Sequence, residues 1–143
     1  MGMRKVALIT DGWRRLFTYA LPAGILQRIR ETGEDVNLYI FNSTGNWSRD
    51  AGYNKAEYNI YNLPNLSDFD GIILELNNIS SPSVLADVIS NAKRSGRPVV
   101  SIANELGDFY YVGIDNYSAM KQVIAHLHEV HDCKKFWLLV GAQ

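Results

Sequence analysis

A chain of 143 residues, of which 47% are hydrophobic and 20% charged, has the size and composition of one globular domain, which excludes a disordered chain. Its 14 basic and 15 acidic residues leave a net charge of −1 and form no basic cluster, so we expect no binding of nucleic acid. Cys133 is the one cysteine, which excludes an internal disulfide, and no apolar run reaches the roughly 18 residues of a membrane span. We therefore expect a cytoplasmic protein without membrane contact.

Short apolar segments of strand character recur along the chain and are separated by segments of helical periodicity. The first, Val6 to Thr10, is closed by Asp11-Gly12 and is typical of a buried parallel strand. The same criteria predict further strands at residues 36–41, 71–76, 98–103, 110–114 and 136–140.

Helices are predicted between these strands. The first ends at Gly33, and its Pro22 is expected in the first turn or at a kink, because proline interrupts a helix interior. A later helix begins with Ser81 as N-cap and Pro82 at the first helical position, and it ends at Gly96. Two more are predicted over residues 49–61 and 117–131, the second with an inward-facing apolar stripe of Met120, Val123, Ile124 and Leu127.

The alternation of strands and helices predicts an α/β fold, a three-layer, doubly wound, mostly parallel sheet with helices on both faces. In such sheets ligands bind at the carboxyl ends of the strands, near a point where the strand order reverses. The loops expected to line a site are therefore residues 11–13, 42–47, 75–78, 104–107 and 115–117.

Asp11 and Trp13 follow the first strand and form one candidate binding pair. A carboxylate bonds to ligand hydroxyls, and an indole stacks on the apolar face of a ring, so the pair suits a polar, ring-shaped ligand. The alternative is structural: Asp11 would cap the turn and Trp13 would pack under the following helix.

The segment Ser43-Thr44-Gly45-Asn46 has the hydroxyls and flexible backbone of a phosphate-binding loop. It follows the second strand, whereas a phosphate loop of the flavodoxin kind follows the first. A polar turn is therefore the favoured interpretation.

No catalytic motif is recognised in the sequence. A phosphoacceptor receiver domain needs clustered carboxylates around Mg²⁺, but Asp11 is the lone acid after the first strand and Glu75 ends the third. No nucleophile elbow, Walker loop or GxGxxG motif is present. We expect no enzyme activity in this chain and no cofactor.

His126, His128 and His131, followed by Asp132 and Cys133, form the one metal-like cluster of the sequence. On a helix, His128 and His131 share a face but His126 and His128 do not. No recognised zinc-ligand spacing is present, so the cluster is interpreted as a polar helix end and no metal is expected.

The segment Val112 to Asp115-Asn116, with His126-Leu127 and the closing Leu138-Leu139-Val140-Gly141, resembles the signature of the LacI/GalR-type periplasmic-binding-protein-like superfamily. Other matching positions are Gly24-Ile25, Gly33, residues 70–73 and residues 96–100, so the resemblance covers nearly the whole chain.

The resemblance implies a flavodoxin-like lobe of a clamshell that closes on a small polar ligand, often a sugar or a nucleoside. Residues 1–115 would form the N-terminal lobe, and residues 116–143 would be the first helix and strand of a truncated second lobe. Position on the lobe implies a ligand-binding set of Asp11, Trp13, Glu75, Asn104 and Asp115. For Asp115 the alternative is a structural N-cap, since Asp at a strand-to-helix junction is a ready cap.

Two departures from the family pattern refine this implication. No helix-turn-helix precedes Val6, so this chain should not bind DNA as the family's repressors do. Residues 130–133 resemble the form found in sensor regions of bacterial signalling proteins, which precede a GGDEF cyclase, a histidine kinase or an AraC-type output domain. We therefore expect a regulatory, ligand-sensing fragment of a longer protein.

The predicted helix over 117–131 and the strand over 136–140 would lack their family partners, so a homodimer or domain-swapped oligomer is expected. An alternative function is a dimerisation module without a ligand, and alanine at Asp11 and Glu75 would separate the two. A third possibility is a flavodoxin-like nucleotide-binding or flavin-using enzyme, which a flavin spectrum would reveal.

Overall fold

The structure, a computed structural model, describes residues 2–12, 16–44 and 48–139, without the side chains of residues 16–18. Five strands form one sheet in the order β2-β1-β3-β4-β5, and every neighbouring pair is parallel. The predicted α/β class and the doubly wound parallel sheet are therefore confirmed. The strands are β1 Arg4–Asp11, β2 Val36–Ser43, β3 Gly71–Glu75, β4 Val99–Ile102 and β5 Tyr110–Val112.

Four α-helices are present among the described residues: α1 Leu16–Thr32, α2 Ala51–Glu57, α3 Pro82–Arg94 and α4 Asn116–Glu129. Two 3₁₀ helices, Tyr58–Asn62 and Leu66–Asp68, lie between α2 and β3. The chain steps from β1 to β2 in one direction and from β2 through β3 to β4 in the other. Right-handed connections therefore place α1 on one face of the sheet and α2 and α3 on the opposite face.

The start of α3 and the glycines that follow α1 and α3 lie where the sequence predicts them. Ser81 is the N-cap of α3 with Pro82 as its first residue, a position where the missing N–H of proline removes no helical bond. Gly33 (φ +64°) and Gly96 (φ +65°) follow α1 and α3 in the left-handed conformation that residues with a side chain adopt only at a cost.

The core lies on the face of the sheet that α3 and the first 3₁₀ helix cover. Alternate residues of the central strands point to this side, and Val88 and Ala92 of α3 pack onto them. Tyr58 and Tyr61 complete the same cluster from the 3₁₀ helix. Its members from the strands are Ala7, Ile9, Ile72, Leu74 and Val99.

Two predictions about helices are wrong in detail. The helix expected over residues 49–61 is α-helical over Ala51–Glu57 and continues as a 3₁₀ helix to Asn62. Pro22 lies inside α1 and not in its first turn, so the first of its two expected positions is wrong and the kink stays a prediction. The helix begins earlier than the apolar stripe suggests, and tertiary context overrides the propensity of one proline.

The end of the described chain also differs from expectation. Residues 136–139 form no strand, and Trp137 and Leu139 are 94% and 96% exposed. The described sheet does not include this segment. The apolar stripe of α4 is not buried either, since Met120 and Val123 are each 51% exposed and α4 has no buried residue.

The chain divides into two compact units, Met1–Gly113 and Ile114–Gln143. The first contains the whole five-stranded sheet with α1, α2 and α3, and the second contains α4 and the segment that follows it. Among the described helices, none combines the length and the apolar character needed to cross a membrane.

Candidate functional site

Buried polar side chains are concentrated at one edge of the sheet. Within the described residues, every buried polar side chain except Asn54 belongs to the last two residues of a strand. Because the strands are parallel, their C-terminal ends lie side by side along one end of the sheet, which we call the carboxyl edge. Ligands bind at this end in sheets of this kind. The residues are Thr10 and Asp11 of β1, Ser43 of β2, Glu75 of β3 and Ser101 of β4.

Asp11 joins the ends of β1 and β2. Its carboxylate is fully buried and accepts a hydrogen bond of 3.0 Å from the Ser43 hydroxyl, its neighbour in the register of the sheet. The backbone carbonyl of Asp11 accepts a bond of 2.8 Å from the side-chain amide of Asn78, which lies in the loop after β3. Asp11 therefore ties the starts of three loops together.

Thr10 and Glu75 form the matching contact between β1 and β3. The Thr10 hydroxyl donates to Glu75 Oε2 at 2.8 Å, and the glutamate is only 1% exposed. A buried carboxylate is costly unless it is hydrogen-bonded, so this donor is needed where it stands. Asp11 and Glu75 lie on opposite faces of the sheet, since adjacent register positions alternate.

Tyr61 joins the hydrophobic core to this network of buried polar side chains. Its hydroxyl donates to the backbone carbonyl of Thr10 at 2.9 Å, although the ring belongs to the hydrophobic core. Burial raises the pKa of the Tyr61 phenol far above its usual range, and the nearby charge of Asp11 adds to the effect. Tyr61 is therefore a permanently neutral donor.

A second, more exposed contact holds the loop after β2. Thr44 donates from its hydroxyl to Glu57 Oε2 at 2.6 Å and from its backbone N–H to the same oxygen at 3.4 Å. The hydroxyl bond is the main reason why the pKa of Glu57 lies below its usual range. A hydrogen bond to Glu57 raises the pKa of Tyr53. The end of α2 thereby anchors the loop that leaves the carboxyl edge.

Asn104 lies in the loop after β4 and is half-buried. Its backbone carbonyl accepts a 2.6 Å bond from the Ser101 hydroxyl. The preceding Ala103 has φ +65°, an unusual backbone conformation for a residue with a Cβ. Strained residues of this kind cluster at functional sites.

Asp115 belongs to the second unit and is the N-cap of α4. Its carboxylate accepts bonds from the Ser118 hydroxyl at 2.6 Å and from the Ser118 backbone N–H at 2.9 Å. These bonds hold the pKa of Asp115 below its usual range, with the hydroxyl bond as the largest cause. As an N-cap, Asp115 therefore has a hydrogen bond to each of its two carboxylate oxygens.

The predicted binding set is thus only partly together. Asp11, Glu75 and Asn104 lie at the carboxyl edge of the first unit, Asp115 lies in the second unit, and Trp13 falls outside the described residues. Asp11 and Glu75 are buried, and their hydrogen bonds connect the strand ends from which the loops begin. Asn104 is half-buried. The binding roles of these residues stay predictions.

A groove of about 610 Å³ opens between the segment from α2 to the 3₁₀ helix Tyr58–Asn62 and the start of α3. Both helices begin at the carboxyl edge, so the groove reaches that edge, and Tyr61 is shared between its lining and the buried network. Its polar lining carries one cation, one carboxylate, amides and hydroxyls, including Lys55, Asp87, Asn54, Asn59 and Ser81.

Sequence reasoning missed Thr10, Tyr61 and Glu57, and it treated Ser43 as part of a polar turn. Thr10 becomes visible once β1 is known to lie between β2 and β3, since its register partner is then Glu75. Tyr61 has no such signal, because the strand order does not predict that its hydroxyl reaches the Thr10 carbonyl.

No protein-family model matches the sequence. No curated protein matches it either.

Several solved structures share the fold of this chain. One is an ABC-transporter solute-binding protein from Burkholderia multivorans, with a TM-score of 0.61 and 21% identity over 91% of this chain and 46% of that protein. The XylFII–LytSN complex has a TM-score of 0.60 and 21% identity, over 90% of this chain and 44% of that one. GanP, a glucose-galactose binding protein from Geobacillus stearothermophilus, has a TM-score of 0.59 and 20% identity, over 92% of this chain and 44% of that one.

The chain therefore spans less than half the length of each of these proteins. At such identities the likeness concerns the fold and leaves ligands and residue roles open. The molecule has the α/β fold of solute-binding proteins, and the carboxyl edge of its sheet is the candidate site.

Proposed function

We propose that this chain is the first lobe of a domain that binds a small polar molecule, such as a sugar or a nucleoside, at the carboxyl edge of its sheet. One observation carries the proposal: nearly all buried polar side chains of the described chain are collected at that edge. A core without function has no reason to bear the cost of burying carboxylates at one end only. Two of the proteins with the same fold are named for the binding of solutes or sugars.

The buried network suits a binding role better than a catalytic one. Asp11 and Glu75 are buried, and each carboxylate accepts a hydrogen bond from a neighbouring strand, which suits a positioning role better than that of a general base or a nucleophile. Their bonds fix the positions where the loops begin, and fixed loops lower the entropy cost of holding a ligand. The chain is therefore proposed to sense or carry its ligand unchanged.

A regulatory role follows from the sequence resemblance to sensor regions of bacterial signalling proteins. Closure of two lobes around a ligand would then bias an attached output domain. In this proposal the second unit, with Asp115 capping α4, is the beginning of the second lobe. A cytoplasmic location belongs to the same proposal.

Calorimetry with a panel of monosaccharides and nucleosides tests the binding proposal. We expect weak binding of at least one member, weakened several-fold by Asn104→Ala, since Asn104 offers its side-chain amide at the edge. The matched control is Asn37→Ala, an exposed asparagine near the opposite end of β2, which should leave binding unchanged. Silence across the whole panel would remove sugar and nucleoside binding as the function.

Self-association is the second candidate, and the edge strand β5 supports it. Tyr110 and Val112 are 72% and 58% exposed on a strand with one free edge. Exposed apolar edges pair readily with a second copy. Light scattering should then detect a dimer that Val112→Lys weakens, and a monomer at high concentration would contradict this candidate.

A further inference from the structure

We propose that His126 and His131 form a two-histidine binding site for a divalent transition-metal ion of the zinc class. The site lies at the C-terminal end of α4, in the second unit and separate from the candidate ligand site of the first. The observation behind it is the approach of the two Nε2 atoms to 3.2 Å, with the ring planes at 76° and the centroids 5.0 Å apart.

The separation fits chelation. Zinc binds imidazole nitrogen at about 2.0–2.1 Å with tetrahedral angles, so two nitrogens on one ion lie about 3.3 Å apart. The two Nε2 atoms of this pair are already at that spacing. Imidazole is a ligand that zinc, copper and nickel accept, whereas magnesium and calcium prefer oxygen.

The backbone holds the pair in place. Val130 N–H donates to the carbonyl of His126 at 2.9 Å, and Cys133 N–H donates to the carbonyl of Leu127 at 3.1 Å. These bonds fold the turn after α4 back on the helix end, with Asp132 in a left-handed conformation at φ +49°. A chelating pair that is already in position loses less entropy when the metal binds.

Charge at this end of α4 also favours a cation. The C-terminus of a helix carries a partial negative charge, and His126 lies in the last turn. Lys134, which follows in the chain, is paired with Asp132 at 3.4 Å. Both histidines are exposed, so an ion reaches them from solvent and water fills the remaining positions.

The site has two protein ligands. The described residues contain no group of three or more histidines, cysteines or carboxylates placed for a metal. His128 is two positions from His126 in α4 and therefore lies on a different face of the helix, and its Nδ1 lies 3.2 Å from the carbonyl of Cys133. The distance between the two Nε2 atoms of the pair also fits a hydrogen bond from one neutral imidazole to the other. Metal titration distinguishes a metal-binding pair from a pair that is only hydrogen-bonded.

Zn²⁺ titration of the untagged chain, with a chromophoric chelator as competitor, tests the proposal. One equivalent should bind, and His126→Asn or His131→Asn should each weaken the affinity at least tenfold. The matched controls, His128→Asn and Cys133→Ser, should leave it unchanged. Binding should also weaken in acid, because imidazole must be neutral to ligate a metal.

Cu²⁺ provides a second readout that does not depend on affinity. Its electron paramagnetic resonance spectrum should show coupling to two imidazole nitrogens, reduced to one in either asparagine variant. The proposal is overturned if the chain takes up no zinc at millimolar concentration. Equal loss in Cys133→Ser, or no loss in either His126→Asn or His131→Asn, would equally overturn it.

Discussion

Tyr58 and Tyr61 belong to the same 3₁₀ helix and to the same core cluster, yet their hydroxyls differ in one respect. Tyr61 donates to the carbonyl of Thr10, whereas the buried hydroxyl of Tyr58 has no hydrogen-bond partner among the described residues. A buried polar group without a partner costs free energy, and a bonded one contributes.

We therefore expect Tyr61→Phe to lower the free energy of unfolding by about 1–2 kcal/mol, because the Thr10 carbonyl loses its donor. Tyr58→Phe should be neutral or stabilising, since it removes a hydroxyl that has no partner. Urea unfolding followed by circular dichroism measures both variants. Equal destabilisation by the two would contradict this, since it would mean that the Tyr61 bond to Thr10 adds no more stability than the Tyr58 hydroxyl does.

The contact between Glu57 and Thr44 should depend on pH. Its bonds lower the pKa of Glu57 in the folded chain, so the stability that they provide is complete above the ordinary glutamate value of about 4.3. It is lost as the pH falls through the lower folded pKa. The Thr44 amide resonance should therefore shift in that acid range and stay flat in Glu57→Gln.

Tyr53 gives a control for the same contact at high pH. Its raised pKa depends first on the hydrogen bond to Glu57 and then on the charge of that carboxylate. In Glu57→Gln the Tyr53 phenol should titrate closer to its ordinary value. An unchanged titration would mean that the hydrogen bond between Tyr53 and Glu57 is absent in solution.

At the scale of elements, the two prolines in helices have opposite roles. Pro22 lies inside α1 and removes a hydrogen bond from the helix, whereas Pro82 opens α3, where its missing N–H has no helical partner to lose. Proline in a helix interior is about 3 kcal/mol less favourable than alanine. Alanine has more conformational entropy than proline in the unfolded chain, and this offsets up to about 1 kcal/mol of that difference.

Pro22→Ala should consequently raise the free energy of unfolding by about 2 kcal/mol. Pro82→Ala should leave it unchanged or lower it slightly, because proline is favourable at the first helical position. Both variants are measured by urea unfolding under identical conditions. A neutral Pro22→Ala would mean that α1 is already distorted at this position and that alanine cannot restore its hydrogen bond.

The elements themselves could be predicted because their patterns are local. The first five predicted strands correspond to β1–β5, since short apolar runs bounded by turn residues have few other structures available. The 3₁₀ continuation of α2 could not be predicted in this way. Tyr58 and Tyr61 are three positions apart, a spacing that a 3₁₀ helix aligns on one side, and only the neighbouring sheet selects it.

The candidate site was less accessible to sequence reasoning than the strands. The edge could be located, because parallel strands end together, and Asp11, Glu75 and Asn104 were found there. Their roles could not be assigned, because burial depends on which strands become neighbours. β1 lies between β2 and β3, so the side chains of Asp11 and Glu75 meet Ser43 and Thr10 instead of solvent.

For the whole molecule, the arrangement into two units matters most. The first unit holds the complete sheet and the buried polar edge, and the second holds α4 with its histidine pair. The two proposals therefore stand on different units and can fail independently. If the chain binds sugars but no zinc, only the metal proposal is contradicted. If it binds zinc but no sugars, only the sugar proposal is contradicted.

A binding site at the carboxyl edge can be located by a map of amide chemical-shift changes on titration with the sugar or nucleoside that binds best. We expect the changes to cluster at the carboxyl edge, at Gly12, Thr44, Asn78 and Asn104. Gly33 and Gly96, which follow helices and precede strands at the opposite edge, should not shift. Changes centred on those two glycines, or spread evenly over the chain, would contradict a binding site at the carboxyl edge.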